Sequence, residues 1–108
     1  MDADYLSEIQ NYATWVVESD QKIVAGLIMT FELEWATIAN IAVDPQFQGL
    51  GIGGALMNFA EARARDKGFT ELHLATHALL TENIALYVHL GWQEFDRTDS
   101  RVLMRKAI

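Results

Sequence analysis

The spacing of apolar residues along the chain predicts eight elements in the order β-β-β-α-β-α-β-β. Strands are expected at residues 12–18, 23–31 and 35–43, where apolar side chains dominate short runs between polar turns. The second run is almost continuously apolar, so we expect it to be buried on both faces. Asp44 and Pro45 end the third strand, because proline has no backbone N–H to donate to a sheet ladder.

After these strands, the pattern alternates between helix and strand. Residues 52–67 carry an apolar stripe at helical spacing, and Gly68 is expected to end that helix. A strand is expected at residues 69–76, and a second helix follows at residues 81–89. Thr81 is a suitable N-cap for this second helix, because its hydroxyl can accept a hydrogen bond from a free backbone N–H.

The two ends of the chain carry weaker signals. Residues 92–95 and 101–106 predict a closing hairpin, and residues 4–11 predict the end of a further helix.

With 108 residues, of which 51% are apolar, we expect one folded domain over residues 1–108. No apolar stretch reaches the ~18 residues of a membrane span. Cysteine is absent and the acidic start lacks the basic residues of a signal peptide, which is compatible with a cytoplasmic protein.

Charge is distributed unevenly. The net charge of −7 comes entirely from residues 1–60, which hold eight acids and one base, whereas residues 61–108 hold seven of each. An acidic surface repels nucleic acid, so we expect neither a nucleic-acid nor a membrane partner. It would attract a cationic partner such as an amine, although acids also serve simply to keep a small protein soluble.

A glycine-rich loop lies between the third strand and the first long helix. Residues 49–54 read Gly-Leu-Gly-Ile-Gly-Gly. Glycines let the backbone approach a ligand, and the first N–H groups of a helix are unpaired and favour an anion. This order of strand, loop and helix predicts a phosphate site. The alternative is a tight turn with ordinary capping, which does not require so many glycines.

Two familiar phosphate loops can be compared with this segment. The nucleotide-triphosphate loop fails, because no Lys-Ser or Lys-Thr follows the glycines. The dinucleotide pattern G-x-G-x-x-G is met by Gly49, Gly51 and Gly54, and Glu71 lies near the distance expected for its acidic residue. The length of the chain and the meander of strands before the loop weaken that interpretation.

A third pattern, Gln48-x-x-Gly51-x-Gly53, resembles the acetyl-coenzyme A loop of the GNAT superfamily of N-acetyltransferases. Residues 40–45 (Asn-Ile-Ala-Val-Asp-Pro) are similar to that family's fourth strand. Residues 81–92 are similar to its second signature, a short helix with a Tyr before a Gly-aromatic turn. The resemblance covers roughly residues 12–106.

This resemblance implies an α/β (α+β) fold with a mixed, mostly antiparallel sheet, splayed central strands and flanking helices. The family's usual first strand and two helices would precede Tyr12, where this chain has only residues 1–11, so an N-terminally truncated version of the fold is expected.

The resemblance also implies where acetyl-coenzyme A, the expected co-substrate, would bind. The backbone of Ile41, Ala42 and Val43 would hydrogen-bond the pantetheine arm. Asn83 is a further expected contact, although the more usual family position for this Asn is Leu80 here. The pyrophosphate would be held by the loop and the helix start, which comprise Gln48, Gly49, Leu50, Gly51, Ile52, Gly53 and Gly54.

Tyr87 is the predicted general acid, since the family places a Tyr near the coenzyme sulfur and a phenol with a pKa of about 10 suits protonation of a thiolate. The alternative is a core Tyr.

Relatives carry a glutamate base at positions that match Thr37 or Ala75, and neither is a carboxylate here. Glu34 and His77 are the nearest replacements. Water, or an amine that arrives neutral, would make a base unnecessary.

The leading hypothesis is an acetyl-coenzyme A-dependent N-acetyltransferase. It would act on a primary amine of a small molecule, peptide or protein by direct attack in a ternary complex. The alternative is a coenzyme-binding module of the same fold with little or no activity.

No metal is expected, because His73 and His77 lie four residues apart in a strand, whereas a zinc pair needs a helix. A homodimer is a further expectation, since the first strand would leave a bare edge.

Overall fold

The computed structural model describes residues 12–32 and 34–108, which form a six-stranded sheet and two α-helices. The strands are β1 (Tyr12–Ser19), β2 (Lys22–Phe31), β3 (Ala36–Val43), β4 (Glu71–His77), β5 (Gln93–Arg97) and β6 (Arg101–Ala107), and the helices are α1 (Ile52–Asp66) and α2 (Thr81–His89). Their order confirms the predicted α/β class. The helix end predicted at residues 4–11 lies outside the described residues.

The sheet has the order β1-β2-β3-β4-β6-β5, and its central pair is splayed. Only β3 and β4 run parallel, and their pairing covers just the three steps from Ala36–Leu72 to Ile38–Leu74. The register of β3 against β2 skips Ala39, and a bulge of this kind bends a strand. Beyond it β3 stays with β2 while β4 stays with β6. A gap therefore opens between the two central strands, as predicted.

Both helices pack on one face of the sheet. The buried side of α1 forms a single cluster with Leu27 and Met29 of β2 and with inward residues of β4 and β6, and α2 adds Ile84 and Tyr87 to the edge of this cluster. On the opposite face of β2, Ile28 and Thr30 are only half-buried. The predicted burial of β2 on both faces is therefore wrong, because no helix among the described residues covers the second face.

The helices begin and end as the sequence predicts, except at the N-cap of α2. Gly68 and Gly91 follow α1 and α2 with φ of 89° and 99°, as expected for glycines that end helices. The N-cap of α2 is Leu80, which makes no side-chain capping hydrogen bond, so the predicted cap at Thr81 is wrong. Neither described helix is long and apolar enough to cross a membrane.

Leu27→Ala should lower the free energy of unfolding by about 2–5 kcal/mol, because the Leu27 side chain is fully buried and its loss leaves a cavity. Leu79→Ala is the matched control, since Leu79 is 81% exposed and should cost less than about 0.5 kcal/mol. Urea unfolding followed by circular dichroism measures both. Equal losses would contradict the assigned core.

Candidate active site

The gap between β3 and β4 forms a cleft of about 250 Å³. Residues 38–41 and 74–77 provide its two strand walls, and Leu80, Asn83 and Tyr87 close a third side. The cleft exists because the backbones separate, so its walls carry strand N–H and C=O groups that no neighbouring strand pairs.

The backbone of β3 presents alternate residues to the gap. The N–H of Asp44 donates to the carbonyl of Val24 on the β2 side, over 2.8 Å. Because successive residues of a strand direct their N–H and C=O groups to opposite sides, Ala42 also faces β2, whereas Ile41 and Val43 face the gap. Of the three predicted pantetheine contacts, Ile41 therefore offers its N–H and C=O to the gap, and Ala42 offers neither. Val43 offers its N–H only, because its carbonyl accepts from the Gln48 side chain.

The glycine loop follows β3 and leads into α1. Gly49 and Gly51 have φ of 83° and 84°, a conformation that strongly favours glycine. A Cβ built on Gly49, Gly51 or Gly54 meets no heavy atom within 4 Å, so the outer side of the loop is open. Gly51 is the N-cap of α1 and makes no side-chain capping bond, and the next three amides have no partner within the helix. This arrangement suits an anion.

Two hydrogen bonds tie the loop to the end of β3. The side-chain amide of Gln48 donates to the carbonyl of Val43 over 3.5 Å. The Asp44 carboxylate accepts the N–H of Gln46 at 2.9 Å and caps a short 3-10 turn at Pro45–Phe47. The anion-type loop and the gap-facing strand are thus held next to each other.

Asn83 and Tyr87 lie one helical turn apart on α2, so both face the cleft. The Tyr87 ring meets the Trp92 ring edge-on, with centroids 6.1 Å apart, and the Trp92 N–H donates to the Tyr87 carbonyl over 2.9 Å. Burial raises the pKa of the Tyr87 hydroxyl above its ordinary value, so this group is a protonated donor at neutral pH.

The two predicted base candidates are placed differently. His77 lines the cleft, but its Nδ1 accepts the Leu79 N–H at 3.1 Å. In a neutral ring the proton then sits on Nε2, so the lone pair that could act as a base is already engaged. Glu34 lies outside the cleft, in a separate hollow with Trp35 and Thr37 at the β2–β3 connection. The structure therefore groups Tyr87, Asn83 and His77 but not Glu34.

Sequence reasoning did not select Asn40 and Thr76, which also line the cleft. Both are polar residues on strand segments that lose their partner strand. Their position follows from the bulge at Ala39, and nothing in the local pattern marks it. Among the described residues no cluster of three or more His, Cys, Asp or Glu could hold a metal ion.

A sequence model described as the acetyltransferase (GNAT) family matches residues 2–92, and the chain therefore belongs to this family. It is 34% identical over 85 residues to the ribosomal protein bS18-alanine N-acetyltransferase of Escherichia coli, a match that covers 79% of this chain and 57% of that protein. It is also 34% identical over 89 residues to the uncharacterized N-acetyltransferase YjgM of the same organism, with 79% and 53% covered. The chain spans about half the length of these curated relatives.

Solved structures show the same fold. The PaiA N-acetyltransferase of Thermoplasma acidophilum, in complex with coenzyme A, superposes with a TM-score of 0.85 at 19% identity and covers 96% of this chain and 66% of that chain. The ribosomal-protein-S18-alanine N-acetyltransferase of Escherichia coli gives a TM-score of 0.81 at 28% identity, with 100% and 77% covered.

Gly51→Ala should weaken coenzyme A binding at least tenfold, because the added Cβ occupies the open side of the loop and strains its φ. Gly68→Ala is the matched control, since Gly68 has a similar φ of 89° and open surroundings at the far end of α1. Both variants should lose a similar ~1–2 kcal/mol of stability. Titration calorimetry with coenzyme A separates them, and equal affinities would contradict the assigned loop.

Proposed function

We propose that this chain, acting as a single domain, transfers the acetyl group of acetyl-coenzyme A to a primary amine by direct attack in a ternary complex. The observation that supports this most is the continuity of the site. Ile41 and Tyr87 line one cleft, and the strand that carries Ile41 leads through the open glycine loop into α1. Curated relatives at 34% identity are named as N-acetyltransferases, which supports the same chemistry.

In this proposal, the chain binds the coenzyme mainly through its backbone. Amides from Gly49 to Gly54 hold the pyrophosphate, and the N–H and C=O of Ile41 with the N–H of Val43 pair with the pantetheine arm as an added strand would. The Gln48 side chain donates to the Val43 carbonyl and so ties the loop to the end of β3. Asn83 supplies a polar contact from α2. The cleft suits such a chain because its strand walls carry backbone groups that no neighbouring strand pairs.

The catalytic contribution of the protein is positioning and proton transfer. Holding the amine beside the thioester makes the attack effectively intramolecular, which is worth several kcal/mol, at most about 7–11. A backbone N–H that faces the gap polarises the carbonyl. Tyr87 gives its proton to the departing thiolate, and burial keeps that proton in place until then. No covalent enzyme intermediate is required.

We propose a cationic acceptor, either a small polyamine-like molecule or a basic peptide. The described part of the acidic first half presents exposed carboxylates, including Glu32 and Glu34 in the hollow beside Trp35. A relative at 34% identity is named for an alanine of ribosomal protein bS18, which makes a protein amine a reasonable acceptor.

A cytoplasmic location and a homodimer through the β1 edge stay predictions.

A coenzyme-binding module without transfer is the second candidate. It is favoured by the residues Thr37 and Ala75, which replace the carboxylates expected at these positions, and by the engaged lone pair of His77. The two candidates differ in whether acetyl-coenzyme A is consumed when amines are present.

Tyr87→Phe should lower kcat about 10²- to 10⁴-fold, because it removes the proton donor for the thiolate. The phenyl ring keeps the contact with Trp92, so unfolding and coenzyme A affinity should hardly change. Release of free thiol, followed by a colorimetric reagent, measures the rate. An unchanged kcat would contradict the acid role, and absence of turnover in the unaltered chain across a broad amine panel would favour the binding module.

Cationic amines should be better acceptors than neutral or anionic ones. A panel of polyamines, aminoglycosides, amino acids and basic peptides would be compared by kcat/KM at low and high salt. We expect the preference for cations to shrink as salt screens the surface charge. Turnover only with neutral or anionic amines would remove the cationic-acceptor proposal and leave the transferase proposal intact.

A further inference from the structure

His73 is held on three sides, on the sheet face that no helix of the described residues covers. The indole of Trp35 stacks on its ring with centroids 4.5 Å apart and planes within 7°, and the Phe95 ring lies 5.0 Å away at 51°. Its Nε2 is 2.5 Å from a carboxylate oxygen of Glu71. The side chain is only 12% exposed. These contacts fix the ring and orient its Nε2 toward Glu71.

His73 directly precedes the part of β4 that lines the cleft, which begins at Leu74. It pairs with Thr37, the middle of the three β3–β4 pairs, so the strands separate just after it. Ala75 follows two residues later on the same face of β4 and lines the cleft. Two residues of a strand span about 6.6 Å, so one bridging water can connect the imidazole to a group beside Ala75.

Glu71 fixes the useful tautomer of the ring. Since a carboxylate only accepts, Nε2 must carry the proton that it donates to Glu71. The lone pair of a neutral ring then lies on Nδ1. A carboxylate that orients a histidine base in this way is a recurring arrangement in enzymes. The situation is the reverse of His77, whose Nδ1 is already engaged by Leu79.

The charged and polar groups around His73 come from three strands. Glu71 lies on its own strand, Arg105 faces it from β6, and Thr37 faces it from β3. The Arg105 guanidinium rests over the Phe95 ring, 5.5 Å from its centroid. Trp35 also borders the acidic hollow of Glu34, about 430 Å³ in volume, so this hollow lies next to the stacked imidazole of His73.

We propose that His73, oriented by Glu71, is the general base that deprotonates the acceptor ammonium through one bridging water. This inference rests on the proposed transferase function. One proton passes from the ammonium through the water to Nδ1 and then to solvent. The neutral amine forms the C–N bond as the C–S bond breaks. The thiolate takes the Tyr87 proton, and the protonated amide nitrogen returns one to the Tyr87 oxygen. The net products are the amide, the free thiol and one proton.

The test compares pH profiles of kcat/KM for the unaltered chain and His73→Gln with a polyamine acceptor. His73→Gln should lose about 10²-fold at pH 7, and the loss should shrink at high pH, where the amine arrives neutral. A merely structural role would lower the rate by the same factor at every pH. His89→Gln, at the exposed end of α2, is the matched control and should keep the full profile.

Glu71→Ala provides a second variant if His73→Gln folds poorly. It should show a smaller loss with the same recovery at high pH, while coenzyme A affinity measured by calorimetry stays unchanged in both variants. A pH-independent loss, or no loss, would overturn the role of His73 while leaving the transferase proposal intact. Absence of turnover in the unaltered chain would overturn the transferase proposal and this inference with it.

Discussion

The site depends on the interruption of hydrogen bonding between β3 and β4. The two strands pair for three steps, and the bulge at Ala39 then carries β3 away with β2. Backbone groups in a sheet need partners, so the gap-facing N–H and C=O of Ile41 and the N–H of Val43 are available to a ligand that itself resembles a strand. A sheet paired along its full length would have neither the cleft nor these free groups.

A second consequence of the splay is that the glycine loop and the Tyr87 side chain both lie close to β3. The loop that starts α1 offers unpaired amides beyond the end of β3. Helix α2 brings Tyr87 to the wall of the cleft. The Gln48 side chain donates to the Val43 carbonyl, and the Asp44 carboxylate accepts the N–H of Gln46, so the segment that leads into the loop is tied to the end of β3. Among the described residues, no helix covers the opposite face of the sheet, and this is the face from which we propose that the acceptor approaches.

Most elements could be predicted because their signals are local. Apolar periodicity located the strands and helices to within a few residues, and Gly68 ended α1 where expected. The errors arise from tertiary context. The second face of β2 has no helix over it among the described residues, and Leu80 rather than Thr81 caps α2. The stack of Trp35, His73 and Phe95 joins residues far apart in sequence, and no local pattern announces it.

The general base illustrates why composition alone could not settle the chemistry. Proximity to the signature residues favoured Glu34 and His77, yet Glu34 lies in a separate hollow and the basic lone pair of His77 is occupied. What makes a histidine useful as a base is a free lone pair in a fixed direction, and this is a property of its partners. Glu71 provides it for His73, beside the position where the family expects a carboxylate. A chain without that carboxylate can therefore still carry a proton acceptor at the same end of the cleft.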